Sequence, residues 1–301
     1  MGALWLCLTK ALEKEACEPL YGQVHSVFDR AVNLLFRLAG NGSRLFTVVS
    51  PGTPGLPDAM TVSEKNFAAL RWSKPGEPAR SRTGFGQVTV GATALLCDEA
   101  ARQSCRFAPG RNHLPGDYAG ISRTFAKGYE ACTSLGHGKT DGFARIPSDR
   151  AKAAQSSLMG FCQTVLKGDG KAAALCAGTV IGLGPGLTPS ADDAMTGILA
   201  LLWGASARGY CARPPEQALE ESLLDRTTEI SAKYLRCARE GEFSQPLLAL
   251  TDAVLDKDLD RLGPTMAQVG DTGGTSGMDI LHGVFLACQA LEGHLARHRN
   301  A

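Results

Sequence analysis

Net charge is almost absent from this chain: Lys and Arg number 31 and Asp and Glu number 30 in 301 residues, which leaves +1 at neutral pH. Without a basic field nothing draws nucleic acid or an anionic lipid surface, and neither is expected as a partner. Long apolar runs are missing as well. The longest, around Ile198 to Trp203, falls far short of the roughly 20 residues that a membrane span requires. The opening MGALWLCLTK is apolar, but it lacks a basic n-region and Glu13, Glu15 and Glu18 follow at once, so no secretory signal is expected. The ten cysteines include no C-x-x-C pair and no metal-type spacing. Cys162, Cys176 and Cys288 sit among apolar neighbours at helical spacing, as small buried hydrophobes do. That pattern favours a reduced, cytoplasmic setting over a disulfide framework.

What is present is ordinary globular material, 44% hydrophobic and 20% charged, in a length sufficient for two cores. Between about Tyr21 and Cys105 the runs VHSVF, RLFTVVS and QVTVGATALL are rich in β-branched and aromatic residues. Turn clusters such as AGNGS and SPGTPGLPD separate them. They suit a small antiparallel sheet or barrel. From Phe107 to Asp149 the fragments APGRNHLPGD and LGHGKTDG read as loops, with a short helix near Ser122 to Cys132.

From Arg150 the period changes to that of a helix. Ala151, Ala154, Leu158, Phe161 and Val165 share one face, and a second helix starting near Ser190 has Ala194, Ile198, Leu201 and Ala205 as its inner stripe. PPEQALEESLLDRTTEISAKYLRCAREG opens with Pro and acids and closes with Arg and Gly, the signature of one helix. Helices over Gln245–Asp256 and Leu259–Val269 follow, the latter interrupted at Gly263-Pro264, and a last helix runs from Gly277 to His294. The expected fold is α+β, with a β-rich N-terminal domain over 1–145 and a mainly helical domain over 146–301.

Two segments of the helical part share a template. GLGPGLTPSADDAMTG (182–197) and GDTGGTSGMDILHG (270–283) both contain S-x-x-D-x-x-x-G. Ser276, Asp279 and Gly283 follow Ser190, Asp193 and Gly197 by the same 86 positions. Ser followed three residues later by an acid is the pattern of a capping box, an acid in the first turn suits the helix dipole, and an inner Gly lets helices approach. Capping alone does not account for the glycines before each helix: Gly182, Gly184 and Gly186 in one loop, Gly270, Gly273 and Gly274 in the other. Each is entropically unfavourable, by about 0.5–1 kcal/mol relative to Ala. A loop that wraps backbone N–H groups around an anion at a helix N-terminus has a use for several. Thr188, Thr275 and Ser276 add hydroxyls there, and Thr227 or Thr228 with Ser231 lie one helical turn apart and offer a third polar element. The candidate ligand-binding residues are therefore Gly182, Gly184, Gly186, Thr188, Ser190, Asp192, Asp193, Thr228, Ser231, Gly274, Thr275, Ser276 and Asp279.

Other signals are weaker. Gly138-Lys139-Thr140 resembles the tail of a phosphate-binding P-loop, but the position five residues earlier is Thr133 where Gly is required. His294 and His298 stand four apart at a helix end beside Arg297 and Arg299, where cations suit the dipole. No spacing identifies a nucleophile or general base, so no catalytic residue is assigned.

Three stretches, GLGPGLTPSADD, then TTEIS with the following AREGE, then the late G-x-x-x-x-T-S-G-x-D-x-L-x-G, together resemble the family of the oxamate carbamoyltransferase AllH-type subunit, a domain long without assigned function. The likeness spans the C-terminal half. In the N-terminal half it is limited to the β-rich layout and an Asn-x-x-x-x-x-Trp stretch at Asn66 to Trp72. The family usually has Gly where this chain has Ala191, and the late loop is richer in glycine than the usual form. The resemblance implies a carbamoyltransferase subunit of ureide catabolism that works with other subunits on oxalurate or carbamoyl phosphate, both small anions. Two rival readings stay open: a ligand-sensing or scaffold subunit, and a Mg²⁺-assisted enzyme with the ion shared by Asp192, Asp193 and Asp279.

Overall fold

The computed structural model describes residues 5–38, 42–96, 102–107, 120–134 and 142–299. The expected loops over 108–117 and 135–141, with Gly138-Lys139-Thr140, lie outside the described residues, as does the His298 side chain. The chain divides into two compact units, Met1–Cys105 and Arg106–Ala301.

The first unit is one sheet of eight strands: β1 (Trp5–Cys7), β2 (Tyr21–Val27), β3 (Ala31–Arg37), β4 (Ser43–Val49), β5 (Ala59–Thr61), β6 (Pro78–Ser81), β7 (Gln87–Val90) and β8 (Thr93–Leu96), in the order β1-β5-β4-β3-β2-β6-β7-β8. Every pairing is antiparallel except the parallel β4–β5. Alternating side chains cover one face, where Phe36, Phe46 and Phe85 are fully buried. The Phe36 and Phe85 rings meet edge to face at 5.4 Å, the arrangement their quadrupoles favour. Helices α1 (Lys10–Glu15) and α2 (Glu64–Leu70) are capped by the hydroxyls of Thr9 and Ser63. Expected strands at RLFTVVS and QVTVGATALL are present, whereas β1, β3, β5 and β6 carried no separate signal: three are only three or four residues long, and β3 is a nearly continuous apolar run.

The second unit is helical: α3 (Ile121–Ser134), α4 (Ser148–Leu166), α5 (Gly170–Val180), α6 (Ser190–Ala207), α7 (Glu221–Leu224), α8 (Glu229–Arg239), α9 (Gln245–Leu255), α10 (Leu259–Gly270) and α11 (Ser276–Arg299). No described helix is long and apolar enough to cross a membrane. Residues 121–145, assigned by sequence to the β-rich part, carry α3 and a 3₁₀ turn at Gly142–Arg145 that belong to this helical unit. Helix α6 is its axis, with Ala194, Ile198, Leu201 and Ala205 fully buried as the inner stripe requires, and Met195, Leu199 and Leu202 away from that stripe buried too. A helix apolar all round must be surrounded, and α4, α8, α9 and α11 pack against it.

Two helical expectations fail. The segment 214–241 is not one helix. It breaks into a 3₁₀ turn at Glu216–Leu219, α7 and α8, with Thr228 as the extended N-cap of α8. Two adjacent β-branched threonines are poor helix formers and good caps. At the other site Pro264 does not interrupt α10, which runs through it. Pro264 is on the exposed side while Leu262, Met266 and Val269 are buried. The carbonyl that loses its partner therefore faces water, and the buried stripe holds the helix together.

Candidate functional site

The repeated template is a pair of crossed helices. A Cβ at Gly197 would collide with the Ile280 carbonyl, and one at Gly283 would collide with the Ala194 carbonyl. Ile280 follows Ala194 by the same 86 positions that separate the two glycines, so the two contacts are images of each other about a local two-fold relation between α6 and α11. Only glycine permits backbones to approach so closely. Since the crossing lies one to two turns from each N-terminus, it brings the two preceding loops together. Thr188 Oγ1 on the first loop is 2.7 Å from Ser276 Oγ on the second.

Neither helix begins with the expected capping box. The N-cap of α6 is Pro189, which has no capping side chain, and Ser190 is already helical. Ser190 is fully buried, and its Oγ has no hydrogen-bond partner among the described residues. In α11 the Thr275 carbonyl accepts from Met278 and Asp279 N–H, while Ser276 is engaged with Thr188. The template residues therefore reach across the helix pair instead of closing their own first turns.

The first loop is braced from behind. Gly182, Gly184 and Gly186 all have positive φ, at 75°, 128° and 95°. A Cβ on Gly184 would collide with the Ser190 N–H, and one on Gly182 would lie 2.8 Å from the Arg226 carbonyl oxygen. Part of the glycine density is thus demanded by the fold itself. Asp192, 1% exposed, is the anchor of this bracing. Its Oδ1 accepts from Gly182 N–H at 2.8 Å, and its Oδ2 accepts from Ser231 Oγ at 2.6 Å and from Thr227 Oγ1. Thr228 Oγ1 donates to the Leu187 carbonyl and also accepts from Ser231 N–H at 3.1 Å. The polar face expected on the helix after the loop is therefore real, but Thr227, Thr228 and Ser231 point at the loop and its carboxylate. Burial raises the Asp192 proton affinity, and the Ser231, Thr227 and Gly182 donors oppose that rise.

The solvent side of the junction holds Gly186 and Leu187 of the first loop and Gly273 and Gly274 of the second, all exposed, with Thr188, Thr275 and Ser276 half-buried. Among the described residues the backbone N–H groups of Gly184, Gly186, Leu187 and Thr188 donate to no protein acceptor. Two helix N-termini and several backbone N–H groups without a protein acceptor thus lie beside one loop junction, a combination that favours an anion.

Behind it lie two more carboxyls. Asp279 is fully buried, and its Oδ1 accepts from Gly142 N–H at 2.8 Å. A Cβ on Gly142 would run into Ser190 Oγ and Asp279 Oδ2 together, so those two atoms crowd one point. Asp193, 7% exposed, has an Oδ2 with no hydrogen-bond partner among the described residues. Its proton affinity is held well above the ordinary carboxylate range by burial; the hydroxyls of Ser276 and Thr188 oppose the rise, and the charges of Asp279 and Asp192 add to it. Tyr234 on α8, whose phenol is pushed up to about 12 chiefly by burial, also senses the Asp193 charge. Gly142 and Tyr234 carried no sequence signal: the one follows an unreadable loop, the other looks like any core aromatic.

This geometry also bears on the Mg²⁺ reading and on the AREGE stretch. The described residues contain no group of three or more His, Cys, Asp or Glu able to hold a metal. Asp192, which the Mg²⁺ reading needs, already spends both oxygens on three protein donors. The AREGE stretch is structural. Gly241 has φ of 78°, and a Cβ there would press on the Trp203 ring at 2.9 Å. Glu242 is buried and accepts from Arg106 Nε at 2.7 Å.

No solved structure matches the chain. Two family profiles do. That of the AllH family N-terminal domain matches residues 3–102, the sheet unit. That of the oxamate carbamoyltransferase subunit AllH matches residues 180–288, which begin just before the first loop and end beyond the helix crossing. Both halves of the molecule thus point the same way, and the chain belongs to the AllH family of oxamate carbamoyltransferase subunits.

Proposed function

We propose that this chain binds a small anionic substrate of carbamoyl transfer at the paired loops, and that it does so as one subunit of a larger enzyme of purine-derived ureide catabolism. The observation that carries the reading is the junction at Thr188 and Ser276, where two helix N-termini meet beside the N–H groups of Gly184, Gly186, Leu187 and Thr188, which donate to no acceptor among the described residues. Oxamate, its N-carbamoyl derivative oxalurate and carbamoyl phosphate all carry negative charge on planar or tetrahedral oxygen groups, which such donors suit. Gly182, Asp192, Thr228 and Ser231 hold the first loop in shape; Gly184, Gly186, Thr188, Gly274, Thr275 and Ser276 line the ligand side; Ser190, Asp193 and Asp279 form its floor. Donors fixed before the reaction stabilise charge that develops on the carbamoyl oxygen during transfer. We assign the protein to the cytoplasm, because the eight cysteines among the described residues are free thiols.

The test is isothermal titration of oxalurate, oxamate and carbamoyl phosphate into the purified chain, followed by phosphate-dependent oxalurate cleavage with the chain alone and with its partner subunits. Binding of at least one of the three, weakened by about 10-fold or more in the Thr188→Val/Ser276→Ala double variant (~1.4 kcal/mol), and turnover only in the assembled enzyme are expected. Absence of binding in both the chain and the assembly overturns the reading. Brisk turnover by the chain alone removes the need for partners.

A further inference from the structure

Carbamoyl transfer between a nitrogen and a phosphate oxygen requires one proton to change places. When phosphate attacks oxalurate, an O–C bond forms at the carbamoyl carbon and the C–N bond to the oxamate nitrogen breaks. The departing nitrogen must gain a proton, and the attacking hydrogen phosphate must lose one. Electrons and charge balance when a single acid–base group on the protein gives the first proton and recovers the second.

The described residues offer three carboxyls at the site. Asp192 is committed to Gly182, Thr227 and Ser231, and Asp279 receives the Gly142 N–H. Asp193, whose buried Oδ2 has no hydrogen-bond partner among the described residues, differs from Asp279 in position: it is 7% exposed where Asp279 is fully buried, and the hydroxyls that act on it are Ser276 and Thr188, the pair that joins the loops. Thr188 and Ser276 are half-buried, whereas Asp193 is buried. The titratable groups facing Asp193 are Asp279 on α11, Tyr234 on α8 and Asp192 on its own helix. None of them is a cation, and it is the Ser276 and Thr188 hydroxyls that favour its ionised form against burial.

We propose that Asp193 is the proton reservoir of the transfer and that Ser276 is the catalytic residue through which it acts. This rests on the carbamoyl-transfer reading above. Ser276 Oγ–H gives its proton to the departing nitrogen while Oγ takes the Asp193 proton. The proton lost by the attacking phosphate returns along the same two groups, so the pair ends as it began. The local two-fold makes Asp279 and Ser190 the counterpart pair, but both are fully buried with Gly142 packed against them, whereas Ser276 is half-buried and so the more accessible hydroxyl.

The experiment uses the assembled enzyme with oxalurate and phosphate. Asp193→Asn keeps shape and neutrality but holds no transferable proton. It should bind oxalurate within about 3-fold of the parent while kcat falls about 10²–10⁴-fold, the usual contribution of a general acid. The parent needs the protonated form, so its kcat should decline as pH rises through the Asp193 titration, and that alkaline limb should vanish in Asp193→Asn. Ser276→Ala should lose kcat by a similar factor, and Ser276→Thr, which restores the hydroxyl, should recover most of it. A folded Asp193→Asn enzyme with kcat within 3-fold of the parent, the same alkaline limb in both, or equal losses in Ser276→Ala and Ser276→Thr each overturn the assignment. Failure of the parent itself to bind any of the three anions overturns the underlying reading, and the proton route with it.

Discussion

The two loop-to-helix elements share a template, yet they are built to different standards of rigidity. Behind the first loop, Asp192 gathers three donors and Thr228 ties down Leu187. The position 86 residues on from Asp192 is Met278, buried but apolar, and Gly273 and Gly274 of the second loop stand in solvent. A repeated motif therefore need not mean repeated duty. The first loop is fixed by side-chain donors gathered on a buried carboxylate, whereas the second is held by main-chain bonds such as Gly277 N–H to the Thr272 carbonyl at 3.0 Å, by the helix crossing and by the Ser276 hydroxyl.

The comparison breaks most visibly at the crossing. Gly283→Val places atoms against the Ala194 backbone, and Gly197→Val does the same to Ile280. Each should cost about 3 kcal/mol or more, because backbone on the far side cannot yield. Equal loss of stability in the two, measured by denaturant unfolding, confirms the two-fold relation, whereas a mild effect in either removes it. Next comes the bracing itself. Asp192→Ala strands the Thr227 and Ser231 hydroxyls and the Gly182 N–H, which should destabilise by about 2–3 kcal/mol. Met278→Leu, its counterpart, should stay below about 1.5 kcal/mol. Comparable losses at both would mean that the loops are braced alike.

Asp193 gives a pH-dependent test. Its folded-state proton affinity is raised, so the native chain holds a proton that the unfolded chain releases. The associated stability is complete below the ordinary aspartate range near 3.8 and is lost as pH climbs through the raised value. Asp193→Asn lacks this loss, so melting temperatures of parent and variant should diverge in favour of the variant as pH rises across that window. The slope is at most about 1.4 kcal/mol per pH unit. A constant gap from pH 4 to 8 contradicts a buried, proton-holding carboxyl. The smallest effect belongs to the loop contact: Thr188→Val removes one hydrogen bond and should cost about 1 kcal/mol, with thermal unfolding as the readout.

Much of the helical unit was legible because its cues are local. The Ala194, Ile198, Leu201 and Ala205 stripe and the 86-residue spacing are patterns along the chain. The split at Thr227-Thr228 was not, since what halts the helix there is a carboxylate 35 residues earlier that takes the Thr227 hydroxyl. The sheet's shortest strands were hidden for a related reason: β1, β5 and β6 are strands only by virtue of their neighbours. The glycine loops were found, but their meaning was read too simply. Gly182, Gly184 and Gly186 are demanded by their positive φ, the first two by close contact as well, before any ligand is considered, whereas Gly274 has open space around it and no such constraint.

Because Gly197 and Gly283 put carbonyl against α-carbon, the spacing of the two helices is set by main chain and not by side-chain volume. Repacking elsewhere in the helical unit can soften or stiffen the core without moving the two N-termini apart. The gap between the two N-termini is thus a fixed gauge, inherited from two missing β-carbons, and under the proposed function ligand size is the property least open to gradual adjustment. Under the same proposal, charge and hydrogen-bonding preference can drift through the hydroxyls of Thr188 and Thr275, while Ser276 is held by its part in the chemistry.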